Sequence, residues 1–539
     1  MKSEFDYIVV GSGSAGAALA TRLTEDPAVR VLLLEAGPRD RHPLQVMPLA
    51  FIKVALGSFG TWQYKTEPEP CLNGRRLDLP RGRVLGGSSS INAMIAIRGP
   101  REDFDRWARM GATGWDYDHV LPYFRRLETH WRGASDLHGG DGPVRVTRPE
   151  SPALLWEPVR DAALAAGYPL CEDPNGPEYD GVSRIESTIG DGQRSSVARA
   201  YLRSVMHRSN LVIRTDALTH RVLIANGRAT GVQYHCDGQL QTAYAQREVL
   251  VCGGAYNTPQ LLMLSGIGPA DELRALGIEP VVDLPGVGRN LSDHPNILNE
   301  YELREHIGLT PYLRLDRAAF NAARWFVDRG GPMAYAGSTA NVFVRSLPGL
   351  PQPDLQLTCL PVSNHAKLWT PLLQRKPTAR LTVRIGHLQP RSRGWVKLRS
   401  TNPADAPLIQ MNVFQDPYDL EAMVRGLKLS RELFKQSPLR DMIRNEMLPG
   451  LGNEDDAAIR EHLRANAGHR SHPVGTCRMG VDADAVVDPQ LRVRGVEALR
   501  VVDASVMPDV TSGNTNLPTI MIGERAADLI RGRTLGPQS

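Results

Sequence analysis

At 539 residues the chain is past the size at which one hydrophobic core keeps growing, so two lobes sharing interleaved segments are expected and a single small domain is excluded. Its 42% hydrophobic and 23% charged residues, with 50 glycines and 40 prolines, describe a loop-rich globular enzyme and exclude a fibre or a disordered chain. The formal charge of +4 is dispersed among acids and bases, which excludes a polyanion-binding stripe and with it nucleic acid as a partner.

Residues 5–10 form a compact apolar run, glycines 11–16 supply turn chemistry, and residues 17–23 carry helix formers at helical spacing. Residues 31–34 then read as a second buried strand, completing a strand–helix–strand unit that opens a doubly wound nucleotide-binding sheet. Between residues 40 and 150 Pro, Gly and Arg recur without periodicity, so long loops are expected around helices near 101–109 and 117–127. Strand patterns return at 211–255, punctuated by turns such as Asn226-Gly227. Residues 300–460 mix helices with strands at 354–360, 379–385 and 395–398, which suggests a separate sheet with helices on one side. The tail closes with a strand at 499–502 and a helix at 517–530 that returns to the first lobe.

The six cysteines, Cys71, Cys171, Cys236, Cys252, Cys359 and Cys477, never form CxxC, so no metal site or redox dithiol is expected and a reduced, cytoplasmic chain is. The N-terminal apolar run is shorter than a signal-peptide core. No apolar stretch reaches about 18 residues, so no membrane span is expected, while peripheral membrane contact is left open, as is the oligomeric state.

Gly11, Gly13, Ser14, Ala15 and Gly16 lie after a strand and before a helix, where small residues permit close backbone approach and the helix N-terminus attracts a pyrophosphate. Glu35, followed by Ala36, ends the second strand, where a carboxylate can accept both ribose hydroxyls and would repel a 2′-phosphate. This spacing alone does not separate FAD from NAD. The decision comes from residues 82–95, GRVLGGSSSINAMI, whose small residues offer backbone donors to something flat and phosphorylated.

Here the chain resembles the glucose-methanol-choline (GMC) flavoenzymes. Residues 254–268, GAYNTPQLLMLSGIG, are similar to that family's other signature, and GTWQY at 60–64, VGRNLSDH at 287–294 and HPVGTCRMG at 472–480 extend the likeness. The resemblance implies a mixed α/β fold in which a Rossmann-type FAD-binding domain (1–150, 196–300 and 463–539) interleaves with a substrate domain (151–195 and 301–462) built on an antiparallel or mixed sheet flanked by helices. It implies that Val84, Gly87, Ser88, Asn92, Ala93, Met94 and Ile95 contact the pyrophosphate and isoalloxazine, Val222 the adenine, and Asp503 and Ala504 the ribityl chain. Relatives that attach FAD covalently do so through a histidine where this chain has Ile91, so a noncovalent flavin is expected.

Hydride leaves an alcohol carbon more readily as the hydroxyl proton departs, which calls for a base and a second polar group on the oxygen. The resemblance maps this pair onto His472 and Asn514, with Asn516 at the flavin's pyrimidine edge. The implied reaction is oxidation of a small-molecule primary alcohol to an aldehyde, with hydride passing to flavin N5 and electrons then to oxygen or a quinone-type acceptor. A flavin-dependent lyase with no net redox chemistry is the alternative. The chain departs from the family at Arg470-Ser471, where an aromatic residue commonly precedes the histidine. Losing that ring widens the pocket, and Arg470, if it faces inward, favours a bulky or carboxylate-bearing alcohol over choline. Trp62 and Tyr64 read as core packing more than as a cation-binding face.

Overall fold

The computed structural model describes residues 4–371, 373, 375–450, 452 and 454–536. Val31–Leu34 is buried at every position, the pattern of a strand covered on both faces. It pairs in parallel with Glu4–Val10 on one side and Leu211–Arg214 on the other. Glu4–Val10 pairs in parallel with the long strand Gln239–Val251, whose first half continues the sheet antiparallel through Arg228–Cys236 and Leu218–Ala225. The other end of Gln239–Val251 takes Leu499–Val501 alongside it in parallel, so the C-terminal quarter is built into the N-terminal sheet.

The first helix, Ser14–Leu23, packs against the last, Asn516–Ile530. Their backbones touch at Gly523, where a Cβ would come within 2.4 Å of Ala15 O, so only glycine permits the approach. The buried carboxylate of the next residue, Glu524, receives Arg22 Nε at 2.9 Å, Arg126 Nε at 2.6 Å and the Tyr201 hydroxyl at 2.7 Å. Such charge-assisted bonds satisfy the acid and lock the middle of the last helix against the first.

The second sheet is antiparallel, in the order Ile443–Leu448, Pro295–Leu303, Arg380–His387, Leu355–Leu360, Ala340–Val344 and Gly181–Arg184, with Gly468–His469 added beside Pro295–Leu303. Side chains alternate faces along a strand. Leu355, Leu357, Cys359, Val383 and Ile385 therefore join the core against the helix Pro417–Phe434, while Thr358, Leu360 and Arg384 face a cavity.

One expectation is corrected. The 395–398 segment does not enter this sheet: Trp395–Lys397 pairs with Leu408–Gln410 in a separate ribbon, and the Val396 amide donates to Gly288 O at 2.7 Å. Position 300 lies inside the strand Pro295–Leu303. The loop-rich region holds the helices Arg101–Arg109 and Tyr117–Leu127, and also a hairpin of Thr61–Lys65 with Asp78–Gly82 that its Pro and Gly content concealed.

Candidate active site

A continuous cavity runs from the glycine turn at residues 11–14 to the inner face of the second sheet. At its nucleotide end Gly11 has φ +103°, and a Cβ there would meet Cys252 O at 2.4 Å. A Cβ on Gly16 would meet Gly11 O at 2.0 Å, so Gly16 joins helix to turn and does not itself line the cavity. Gly13 differs: it lines the cavity with φ −68°, and a Cβ there would meet nothing within 4 Å. Gly13 also caps Ser14–Leu23 without a side-chain bond, which leaves the first-turn N–H groups free for an anion.

Glu35 accepts from the Ser12 amide at 3.1 Å, the Ser12 hydroxyl at 2.6 Å and the Gly37 amide at 2.9 Å. Burial pushes its carboxyl up to about 7. An open glycine, an uncapped helix end and an acid beside them fit a pyrophosphate-linked dinucleotide.

Ala15, Ala36, Gly87, Ser88, Ile91, Asn92, Ala93, Met94, Ile95, Asp503, Ala504 and Asn516 also line the cavity. Asn516 Oδ1 accepts from Ser14 Oγ at 2.8 Å, and Asp503 accepts from the Gly254 amide at 2.8 Å, so the C-terminal segment closes over the turn. Met94 and Ser471 both line the cavity with positive φ, 60° and 64°, a conformation that costs energy for residues with a Cβ and that collects at functional sites.

The far end of the cavity holds a chain of polar side chains. Asn514 Nδ2 lies 3.1 Å from His472 Nε2, and His472 Nδ1 lies 2.9 Å from His294 Nδ1. An amide NH2 only donates, so Nε2 of His472 is the unprotonated nitrogen and accepts from Asn514, while Nδ1–H donates to His294. Burial, reinforced by the imidazole of His294, holds His472 well below its usual pKa, and burial brings His294 down to about 3. Both rings are neutral at pH 7.

The pairing rests on two segments lying side by side. Ser292 and Val474 exchange backbone hydrogen bonds at 3.1 and 2.9 Å, the Arg470 amide donates to His294 O at 3.0 Å, and the His472 amide donates to Asp293 Oδ1 at 3.0 Å. Asn514 is held by its neighbour Ser512, whose amide and hydroxyl donate to buried Asp103 at 2.5 and 2.8 Å.

The GMC oxidoreductase pattern matches residues 5–296 and 390–523. The chain belongs to the GMC oxidoreductases. It is 46% identical to human mitochondrial choline dehydrogenase over 543 aligned positions, covering 99% of this chain and 90% of that one. Among solved structures, formate oxidase from Aspergillus oryzae RIB40 superposes with a TM-score of 0.92 at 29% identity, covering 98% of each chain. An FAD-dependent oxidoreductase from Chaetomium thermophilum superposes at 0.87 and 28% identity, covering 98% of this chain and 99% of that one.

Within this GMC oxidoreductase three residues expected at the cofactor stand back from the cavity: Gly16, Val84 and Val222. Val84 is fully buried beside Gly37 and Gly60, and Val222 sits in a strand with its amide donating to Ser265 Oγ at 2.9 Å. Ala217, Leu218 and Thr219 line that end in place of Val222. His469 turns away, its Nε2 2.9 Å from Asp78 O. Trp62 lines the cavity but its ring is covered by Arg83, 4.3 Å from the centroid, and Tyr64 packs in the core.

Arg470 turns inward. Its guanidinium donates to Gln356 Oε1, to Gln356 O at 3.0 Å and to Arg384 O, all along the cavity face of the second sheet. Burial, followed by the charge of Arg384, lowers it to about 9. Four residues that shape this site were not singled out from the sequence: His294, Asp103, Arg384 and Arg194. Arg194 holds the Asn92 turn through 2.7 Å bonds to Asn92 O and Oδ1. His294 ends a motif whose residues were noted without roles, and strand alternation about Ile385 would have placed Arg384.

Proposed function

We propose that this chain is an FAD-dependent oxidoreductase that converts a primary alcohol to an aldehyde, with His472 as the base and Asn514 as the group holding the alcohol oxygen. The observation that carries this reading is the neutral His472, with its Nε2 lone pair directed at Asn514 and its Nδ1–H pinned by His294. A substrate hydroxyl entering between Nε2 and Asn514 donates to the imidazole and accepts from the amide. FAD, bound along the glycine turn, supplies the hydride acceptor. The proton goes to Nε2, and His294 stabilises the ring orientation as charge develops. A base in this position contributes roughly 10²–10⁴-fold.

Burial of Ile91 at the cavity wall, a side chain with no nucleophile, supports a noncovalent flavin. Six free cysteines support a reducing compartment, the cytoplasm, and among the described residues no helix is long and apolar enough to cross a membrane. Oxygen or a quinone-type compound serves as the electron acceptor. The human relative is named for choline, but here the cavity beyond His472 is lined by Arg81, Arg384 and Arg470, and the acids of the lining, Glu35 and Asp503, belong to the nucleotide end. That charge disfavours a quaternary ammonium and supports an uncharged or anionic alcohol.

Anaerobic mixing of the FAD-loaded protein with a panel of primary alcohols tests the reading. Loss of the yellow flavin absorbance is expected, slowed by roughly 10²-fold or more in His472→Ala. Turnover with the flavin still oxidised would instead identify a lyase.

A further inference from the structure

Arg384 stands on the cavity face of the Arg380–His387 strand, yet among the described residues its guanidinium has no hydrogen-bond or carboxylate partner, and its buried Nε is unpaired. Its main-chain oxygen accepts from Arg470, so the two cations are neighbours, and Arg470 is fixed by neutral acceptors alone. Asp293, the acid whose charge reaches Arg470, is buried behind the His472 amide and does not line the cavity. Two positive groups in a partly desolvated wall, without a counter-charge, cost free energy unless a ligand supplies one. Burial lowers the Arg384 pKa, the direction expected of a cation waiting for its anion.

We infer that Arg384, backed by Arg470, is a subsite for a carboxylate carried by the substrate, which makes the preferred donor an alcohol with a carboxylate at its far end. This assignment rests on the alcohol oxidation proposed above. The flat guanidinium meets a carboxylate through paired hydrogen bonds, and the anchored anion leaves the hydroxyl end to His472 and Asn514.

The test compares para-(hydroxymethyl)benzoate with its neutral isostere para-(hydroxymethyl)benzamide and with the cationic para-(aminomethyl)benzyl alcohol, using FAD-loaded protein and anaerobic flavin reduction. The benzoate is expected to have the lowest KM. In Arg384→Met its KM rises roughly 10- to 100-fold with kcat little changed, the KM of the amide rises at least tenfold less, and Arg384→Lys recovers part of the loss. Calorimetric titration of the parent with para-toluate and para-toluamide gives a readout independent of turnover and of the variant's folding: the acid is expected to bind and the amide to bind at least tenfold more weakly. Equal KM values for benzoate and amide, equal calorimetric affinities, or a variant that loses both substrates alike would overturn the subsite while leaving alcohol oxidation standing. Failure of all three alcohols to reduce the flavin would overturn both.

Discussion

Gly386 lies directly beneath Arg470: a Cβ built on it would come within 2.2 Å of Arg470 Nε and 2.7 Å of Cζ. The absence of a side chain at one point of a strand thus lets a guanidinium lie flat on the second sheet, where it reaches the acceptors of Gln356 and Arg384.

Gly386→Ala therefore has to displace Arg470 from those acceptors. Because the clash is with a flexible side chain, the protein is expected to fold but to lose about 1–3 kcal/mol for the acceptors left unpaired. Urea unfolding measures that loss, and the ratio of kcat/KM on anionic and neutral alcohols is expected to shift with it. An unaltered ratio would show that the position of Arg470 has no bearing on substrate choice.

Gly13 offers a converse case. Its φ of −68° suits any L-residue, and the space its Cβ would enter holds no protein atom. Gly13→Val is expected to leave the unfolding midpoint of the FAD-free protein within experimental error while abolishing FAD uptake, read from the ratio of flavin to protein absorbance. Normal FAD loading of this variant would place the pyrophosphate elsewhere.

The two neighbours of His472 are expected to separate kinetically. Asn514→Ala removes a donor at the developing alkoxide and should slow flavin reduction by roughly 10²–10³-fold. His294→Ala frees the other face of the imidazole, so kcat should fall while substrate KM stays near the parent value, and His294→Gln, which restores an acceptor for Nδ1–H, should recover part of the rate. Absence of that rescue would reduce His294 to a packing residue.

The pH dependence follows from two imidazoles held neutral by burial. His472 is already the free base at the ordinary imidazole pKa near 6.5, so flavin reduction is expected to stay level as pH falls through that value and to decline only at more acidic pH. Stability moves in the matching sense. The unfolded chain takes up protons near 6.5, whereas His294 does so only at about 3, so this contribution is complete above 6.5 and is lost as pH falls from there toward 3. Urea unfolding across this range, repeated on His294→Gln, should show a shallower fall in the variant.

The nucleotide end was largely legible because its signals are local. A turn needing glycine at Gly11, a helix start at Ser14 and an acid at Glu35 occur within one strand–helix–strand unit, and each is dictated by backbone geometry within a few residues. The loop at 87–95 and the family motifs named most of the remaining cavity wall. Val222 stands outside the cavity lining while Ala217 to Thr219 belong to it, a difference hidden in the sequence because a strand residue carries no sign of which end of its sheet a ligand will occupy.

Taken alone, the amino-acid sequence determined the oxidoreductase family and singled out the glycine turn and the histidine proposed as the base, since these depend on residue types at short spacings. Only the tertiary structure decided that His294, 178 residues before His472, lies against that imidazole, and that Arg384 and Arg470 meet on one face of a sheet. The reason is physical. Contacts between distant segments depend on strand register and on which face of a strand is turned inward, and both are settled when the whole core packs.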